Sequence, residues 1–254
     1  MAALHHKAGI RNRTSGAAIA AVLFLIGCHK RPPEAPRPQA RVLVQAFSEV
    51  VSPRVLVATP EYAFVAAGAG LQRWSLATGE LLQLSAEHGL PGNEVYSMAF
   101  DAQRDRLWIA TDGGITRYQS EDATFSELAP PAEILGVTGL GNSVMAAAEN
   151  GGLWIGLDNG LFYAQPDGRW SNTGVTSKVH SLLHDSTGTL WIGTDSGLMW
   201  VGKDRVAHSL TVTEGCDFTK VVSLTEHGPD RVLVFATTDA GEQRIALAGA
   251  AGCA

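Results

Sequence analysis

The side chains best suited to chemistry in this 254-residue sequence are three aspartates and two histidines. Asp112, Asp158 and Asp195 each follow a Leu-Trp-Ile run at the same distance. Carboxylates recurring at one structural place suit a hard cation such as calcium. Calcium loops, however, space them as D-x-D-x-D-G, and no such string occurs. Each aspartate is followed within two residues by glycine, and Asx-Gly pairs turn hairpins because both residue types tolerate positive φ. Hairpin formation therefore accounts for all three. His180 and His184 flank a β-rich run. Two histidines without a carboxylate placed to work with them are weak evidence for zinc binding or general-base chemistry. No catalytic residue, metal or cofactor is expected.

The frame that positions these residues is a repeat. Leu107-Trp-Ile-Ala-Thr-Asp-Gly-Gly114, Leu153-Trp-Ile-Gly-Leu-Asp-Asn-Gly160 and Leu190-Trp-Ile-Gly-Thr-Asp-Ser-Gly197 are three copies of one motif. Ala63–Gly70 and Val234–Gly241 are degenerate copies. The aromatic positions Phe64, Trp108, Trp154, Trp191 and Phe235 are spaced by 44, 46, 37 and 44 residues. A period of about 40 residues signals a repeat architecture. Each period reads as several short strands with no convincing helix. In the fourth, Lys178–His184, Leu190–Thr194, Leu198–Val201 and Arg205–Thr211 are β-rich runs separated by turn residues. The central runs read Leu-Trp-Ile without polar alternation, so both faces should be buried. Four antiparallel strands per period, covered on both sides, describe an all-β propeller blade. Trp108, Trp154 and Trp191 are then inter-blade core. Trp74, Trp170 and Trp200 fall outside the register and are the aromatic candidates for a binding face.

Composition agrees and excludes other classes. The chain is 45% hydrophobic and 17% charged, with 19 basic against 25 acidic residues for a net charge of −6. That balance offers no basic stripe for nucleic acid, and six tryptophans with eight phenylalanines argue against global disorder. The 28 glycines, well above the roughly 7% average, call for many turns.

The string from Val179 to Leu198, VHSLLHDSTGTLWIGTDSGL, resembles the two-component regulator propeller repeat, roughly V-x-S-[LI]-x-x-D-x-x-G-x-[LI]-W-[IV]-G-T-x-x-G-[LI]. The second repeat matches it through Val95-Tyr-Ser-Met, Asp101 and Leu107–Ile115, and the third chiefly from Gly152 to Leu161. The resemblance covers about residues 92–201 and implies a β-propeller of the kind found in the extracytoplasmic sensor regions of larger signalling proteins. Those proteins carry longer blade arrays, a membrane span and an output domain. The chain ends at Ala254 without a second apolar span, so it is not expected to be a sensor kinase itself.

The N-terminus reads as an address. Lys7, Arg11 and Arg13 precede an eleven-residue apolar stretch, Ala17–Gly27, far short of the ~20 residues that cross a bilayer. A basic start and a short apolar core make a signal peptide, residues 1–27. It ends in Leu25-Ile-Gly-Cys28, which resembles the lipobox of bacterial lipoproteins; the resemblance implies cleavage before Cys28 and acylation of that residue. Several acyl chains on one residue anchor a protein stably to a membrane. His29 follows, not the aspartate associated with inner-membrane retention, which favours an outer membrane where one exists. Without residues 1–27 the chain holds 16 basic and 25 acidic residues, a net −9. Residues 28–40, with Pro32, Pro33, Pro36 and Pro38, suit an extended tether. With Cys28 lipidated, Cys216 and Cys253 remain as a disulfide candidate in an exported protein.

Residues 41–254 would then form the propeller, most simply of five four-stranded blades. The fifth copy runs out after Gln243–Leu247 with only a short Ala/Gly-rich tail, so Arg41–Phe47 is expected to supply its missing outer strand and close the ring. Functionally, the expectation is a non-enzymatic module that binds a protein or small ligand from a lipid anchor in the cell envelope, or serves as a scaffold. The alternative is an envelope enzyme of lyase or glycosidase type with its site at the channel mouth. There the first-strand segments Glu94–Phe100 and Val179–His184 offer one glutamate and two histidines.

Overall fold

A computed structural model describes residues 53–67, 70–136, 139–210, 216–229, 231–249 and 251–253. The expected segments 1–27, 28–40 and 41–47, with Cys28, lie outside them.

The described residues form five four-stranded sheets, each built from strands consecutive in the chain and antiparallel throughout. Sheet one holds β1 (Pro53–Ala58), β2 (Tyr62–Ala67), β3 (Gly70–Ser75) and β4 (Leu81–Leu84). Sheet two holds β5 (Val95–Asp101), β6 (Arg106–Thr111), β7 (Gly114–Gln119) and β8 (Thr124–Leu128). Sheet three has β9 (Val144–Ala147), β10 (Leu153–Leu157), β11 (Gly160–Ala164) and β12 (Trp170–Asn172). Sheet four has β13 (Val179–His184), β14 (Leu190–Thr194), β15 (Gly197–Val201) and β16 (Ala207–Ser209). Sheet five has β17 (Phe218–Glu226), β18 (Arg231–Thr238), β19 (Gln243–Gly249) and β20 (Gly252–Cys253). The first strands pack one on the next in chain order, β1 on β5, β5 on β9, β9 on β13 and β13 on β17. This is a β-propeller of five blades.

Sheet five corrects one expectation. Its fourth strand is its own C-terminus: Gly252 and Cys253 pair with Gly249 and Ala248. The sequence hid this because a two-residue strand in an Ala/Gly-rich tail has no periodicity to read. A second difference is α1 (Ala132–Leu135), a single helical turn after Pro130-Pro131 in the long connection between β8 and β9.

Four apolar cores join the five sheets. Phe64 and Leu71 meet Leu107 and Tyr118 between sheets one and two. Trp108 meets Leu153 and Phe162 between two and three. Trp154 and Tyr163 meet Leu190 and Val201 between three and four, and Trp191 meets Val221 and Val234 between four and five. Strands β10, β11 and β14 are buried at every residue, as strands between two neighbours must be. Strand β18 instead buries only alternate residues, Val232, Val234, Ala236 and Thr238. Its other face carries the cross-strand pair Phe235–Ile245, both exposed.

The glycine of Leu-Trp-Ile-Gly is set by this stacking. A Cβ on Gly193 would lie 2.7 Å from a methyl of Val221 and 2.9 Å from its carbonyl oxygen, because β17 lies directly against β14 there. Gly193→Ala should therefore overpack the interface and cost about 1–3 kcal/mol. Thermal unfolding should fall by about 5 °C for a domain of this size. An unchanged midpoint would mean the sheets can separate at no cost.

Candidate functional site

The site begins with a backbone irregularity. In β5, Val95 pairs with Thr111 and Ser97 with Ala110, leaving Tyr96 as an extra residue. The same bulge isolates His180 in β13, Arg54 in β1 and Thr219 in β17. A bulge re-aims its side chain and releases it from the ladder. The bulged residue is the variable position of the Val-x-Ser string, and it falls at the start of the first strand in four of the five sheets.

The β6–β7, β10–β11 and β14–β15 turns reach the same end of the sheets, and the three aspartates do more than turn hairpins. Asp112 Oδ1 accepts from the Glu94 backbone N–H at 2.9 Å. Asp158 accepts from Asn142 Nδ2 at 3.1 Å and pairs with Lys178 of the next sheet at 2.6 Å. Asp195 accepts from His180 Nε2 at 2.7 Å and has Lys220 of sheet five at 3.6 Å. Arg54 pairs with Glu94 across sheets one and two. Ion pairs thus cross the rim between sheets one and two, three and four, and four and five.

The electrostatics follow from these contacts. The hydrogen bond from His180 is the main influence holding the Asp195 carboxyl below the usual carboxylate range; burial opposes it, and the charges of His180 and Lys220 reinforce it. Burial, then the charges of Glu94 and Asp112, push the Tyr96 hydroxyl up, so it remains a hydrogen-bond donor, 3.4 Å from Glu94 Oε2. Beside Tyr96 opens a cleft of about 390 Å³. Asp112 and Glu127 give it acidic edges, and Pro130, Leu135 and Leu140 of the long β8–β9 connection give it an apolar wall.

His180 and His184 flank β13, as the sequence indicates, and so lie in different surroundings. His180 lies on this rim against Asp195, a carboxylate 15 residues away that only the fold brings near. His184 ends β13 at the opposite end of the sheet. Trp108, Trp154 and Trp191 are inter-blade core, as expected. Of the binding-face candidates, Trp74 is buried, while Trp170 and Trp200 are half-buried against the cores. Among the described residues no group of three or more His, Cys, Asp or Glu side chains is placed to hold a metal ion. Cys216 and Cys253 form a disulfide, which ties β20 to the segment entering β17. The ion-paired Arg54, Lys178 and Lys220 were missed. The legible signal for the rim was the x of Val-x-Ser, which reads Tyr96 in one copy and His180 in another.

Residues 89–113 and 173–196 match the family described as two component regulator propeller. Those two segments are regulator-propeller repeats. They span the bulges at Tyr96 and His180 and the first hairpins of sheets two and four. No curated protein matches the chain in sequence. Among solved structures, the extracellular domain of BT4673 from B. thetaiotaomicron is similar at 20% identity over 77% of this chain, with a TM-score of 0.60. PorZ, a bacterial surface component of the type-IX secretion system of Porphyromonas gingivalis, is similar at 16% identity over 79% of this chain, TM-score 0.60. The chain spans only 27% of the length of each of these two. A virginiamycin B lyase from Staphylococcus aureus, solved with quinupristin, is similar at 11% identity over 81% of this chain and 80% of its own, TM-score 0.59. At these identities the likeness is one of fold.

Proposed function

We propose that the chain is a lipid-anchored, extracytoplasmic propeller that presents its bulged rim to a protein or small ligand and catalyses nothing itself. The observation carrying this reading is the row of released side chains, Arg54, Tyr96, His180 and Thr219, beside an open cleft. Such a row offers varied contacts on a rigid support, which suits recognition. The Cys216–Cys253 disulfide fits an oxidising compartment outside the cytoplasm. Analogy with an extracellular domain and a surface component adds support at the level of fold alone. Leu25–Cys28 supplies the anchor, and His29 favours the outer membrane.

Cys28→Ser should move the protein from the membrane fraction to the soluble fraction of the envelope. Continued partitioning with membrane would remove the lipid from the account. For the rim, crosslinking in intact envelopes should yield adducts that Tyr96→Ala loses at unchanged protein level. Adducts indifferent to rim changes would place recognition elsewhere.

The His180–Asp195 contact favours a second reading, a lyase-type enzyme with His180 as base, since the carboxylate takes Nε2–H and leaves Nδ1 as the basic nitrogen. Incubation with quinupristin, found on the similar lyase, separates the two. No turnover is expected; turnover abolished by His180→Ala would favour the enzyme.

A further inference from the structure

The repeats differ at one buried position, and the difference leaves a hole. In sheet four, Asp185 stands six residues before Trp191, and its carboxylate is buried. Its Oδ2 accepts from Trp191 Nε1 at 2.7 Å, and its Oδ1 accepts from the Thr187 and Thr189 backbone N–H groups at 2.9 Å each. Sheet three keeps the spacing, but the residue six before Trp154 is Ala148. No acceptor for Trp154 Nε1 occurs among the described residues. In sheet two the chain between aspartate and tryptophan is one residue longer, and Asp101 is taken instead by Arg106 at 3.0 Å.

Where the carboxylate is missing, between sheets three and four, lies a cavity of about 180 Å³, far more than the roughly 15 Å³ that admits one water. Ala148, Trp154, Tyr163, His184, Lys203 and Arg205 line it. Arg205 holds a left-handed backbone conformation (φ 58°) and lies over the Tyr163 ring at 5.4 Å. Neither Lys203 nor Arg205 has an ion pair among the described residues. Asn150 is already engaged, accepting from the Tyr163 hydroxyl at 2.7 Å. Glu149, the carboxylate of the lining, is turned over Gly188.

We propose that this cavity binds a small organic carboxylate, whose carboxylate group takes the place that Asp185 fills in the next sheet. Trp154 Nε1 donates to it, Lys203 and Arg205 supply the opposite charge, and the ligand's body packs on the Trp154–Tyr163 wall. Hydrogen bonds to an ionised acceptor are the strong ones, and a half-enclosed aromatic pocket strengthens them further. The volume restricts the ligand to a single ring or a short chain. The site is at the opposite end of the strands from the bulged rim, so it stands or falls independently of rim recognition.

The test uses full-length protein with ¹⁵N-labelled tryptophan, the Trp154 indole signal being assigned by its loss in Trp154→Phe. Benzoate and lactate should shift that signal saturably in the millimolar range, while the neutral benzamide and lactamide should bind at least about tenfold more weakly. Arg205→Gln, a change at an exposed side chain, should weaken benzoate about fivefold or more. Ala148→Asp should return the carboxylate of the repeat, raise the melting temperature and abolish the response to both acids. No shift with either acid, equal binding of acid and amide, or undiminished binding by Ala148→Asp or Arg205→Gln would each overturn the proposal.

Discussion

Asp185→Ala should lower stability at neutral pH by about 2–4 kcal/mol, a large loss for one turn residue. The carboxylate is buried and serves four donors at once, the Trp191 indole, the Thr187 hydroxyl and two backbone N–H groups of the β13–β14 turn. Removing it takes the acceptor from all four, and the Trp191 indole is left in a fully buried place. The same contacts set a pH dependence. Burial alone would raise the Asp185 carboxyl, but the hydrogen bonds from Trp191, Thr187 and Thr189 outweigh it and hold the group below the usual carboxylate range. A group depressed on folding contributes its full stabilisation above the ordinary value of about 4 and loses it as pH falls through the depressed value. Urea unfolding should therefore show the wild-type advantage over Asp185→Ala at pH 7, shrinking as the solution is acidified below about pH 4. Equal stability at pH 7 would mean the turn does not depend on its aspartate.

Breaking the Cys216–Cys253 bond should cost about as much. The cysteines are 37 residues apart, and closing a loop of that length contributes about 3–4 kcal/mol in the chain-entropy account. Cys253→Ser should lower the melting temperature by about 10 °C. The effect should be concentrated in β20, whose two residues pair only with Ala248 and Gly249 and cannot hold a strand by hydrogen bonds alone. Hydrogen exchange at Cys253 and its partners would report this directly. In the exported protein neither thiol should label without reductant; full labelling of both would remove the staple.

The sheets were legible because burial on both faces leaves an unbroken apolar run, and Leu-Trp-Ile is such a run in sheets two, three and four. The strand at Gly252–Cys253 was not legible, because a two-residue edge held by a distant disulfide leaves no pattern of its own. The aspartates were placed correctly on their turns. Their reach to Glu94, Asn142 and His180 was invisible, since it depends on each sheet folding the start of its first strand beside a turn some 15 to 18 residues away. The pairs between sheets, Asp158–Lys178 and Asp195–Lys220, are more remote still, because one partner belongs to the following repeat. The pocket beside Ala148 is a mixed case: an alanine six residues before Trp154, where sheet four has Asp185 before Trp191, can be read from the sequence, but the cavity beside it exists only in the fold.

The four bulges have a consequence for how such a chain can change. Tyr96, His180, Arg54 and Thr219 each sit outside the ladder, opposite no partner residue. A substitution there leaves strand register unchanged, and of the four only Tyr96 packs against an apolar layer that joins one sheet to the next. The vocabulary of the rim can thus be rewritten one letter at a time in four of the five blades while the strand pairing of the fold is left intact. A library randomised at these four positions should retain most of its members as folded protein, with selectivity varying widely among them.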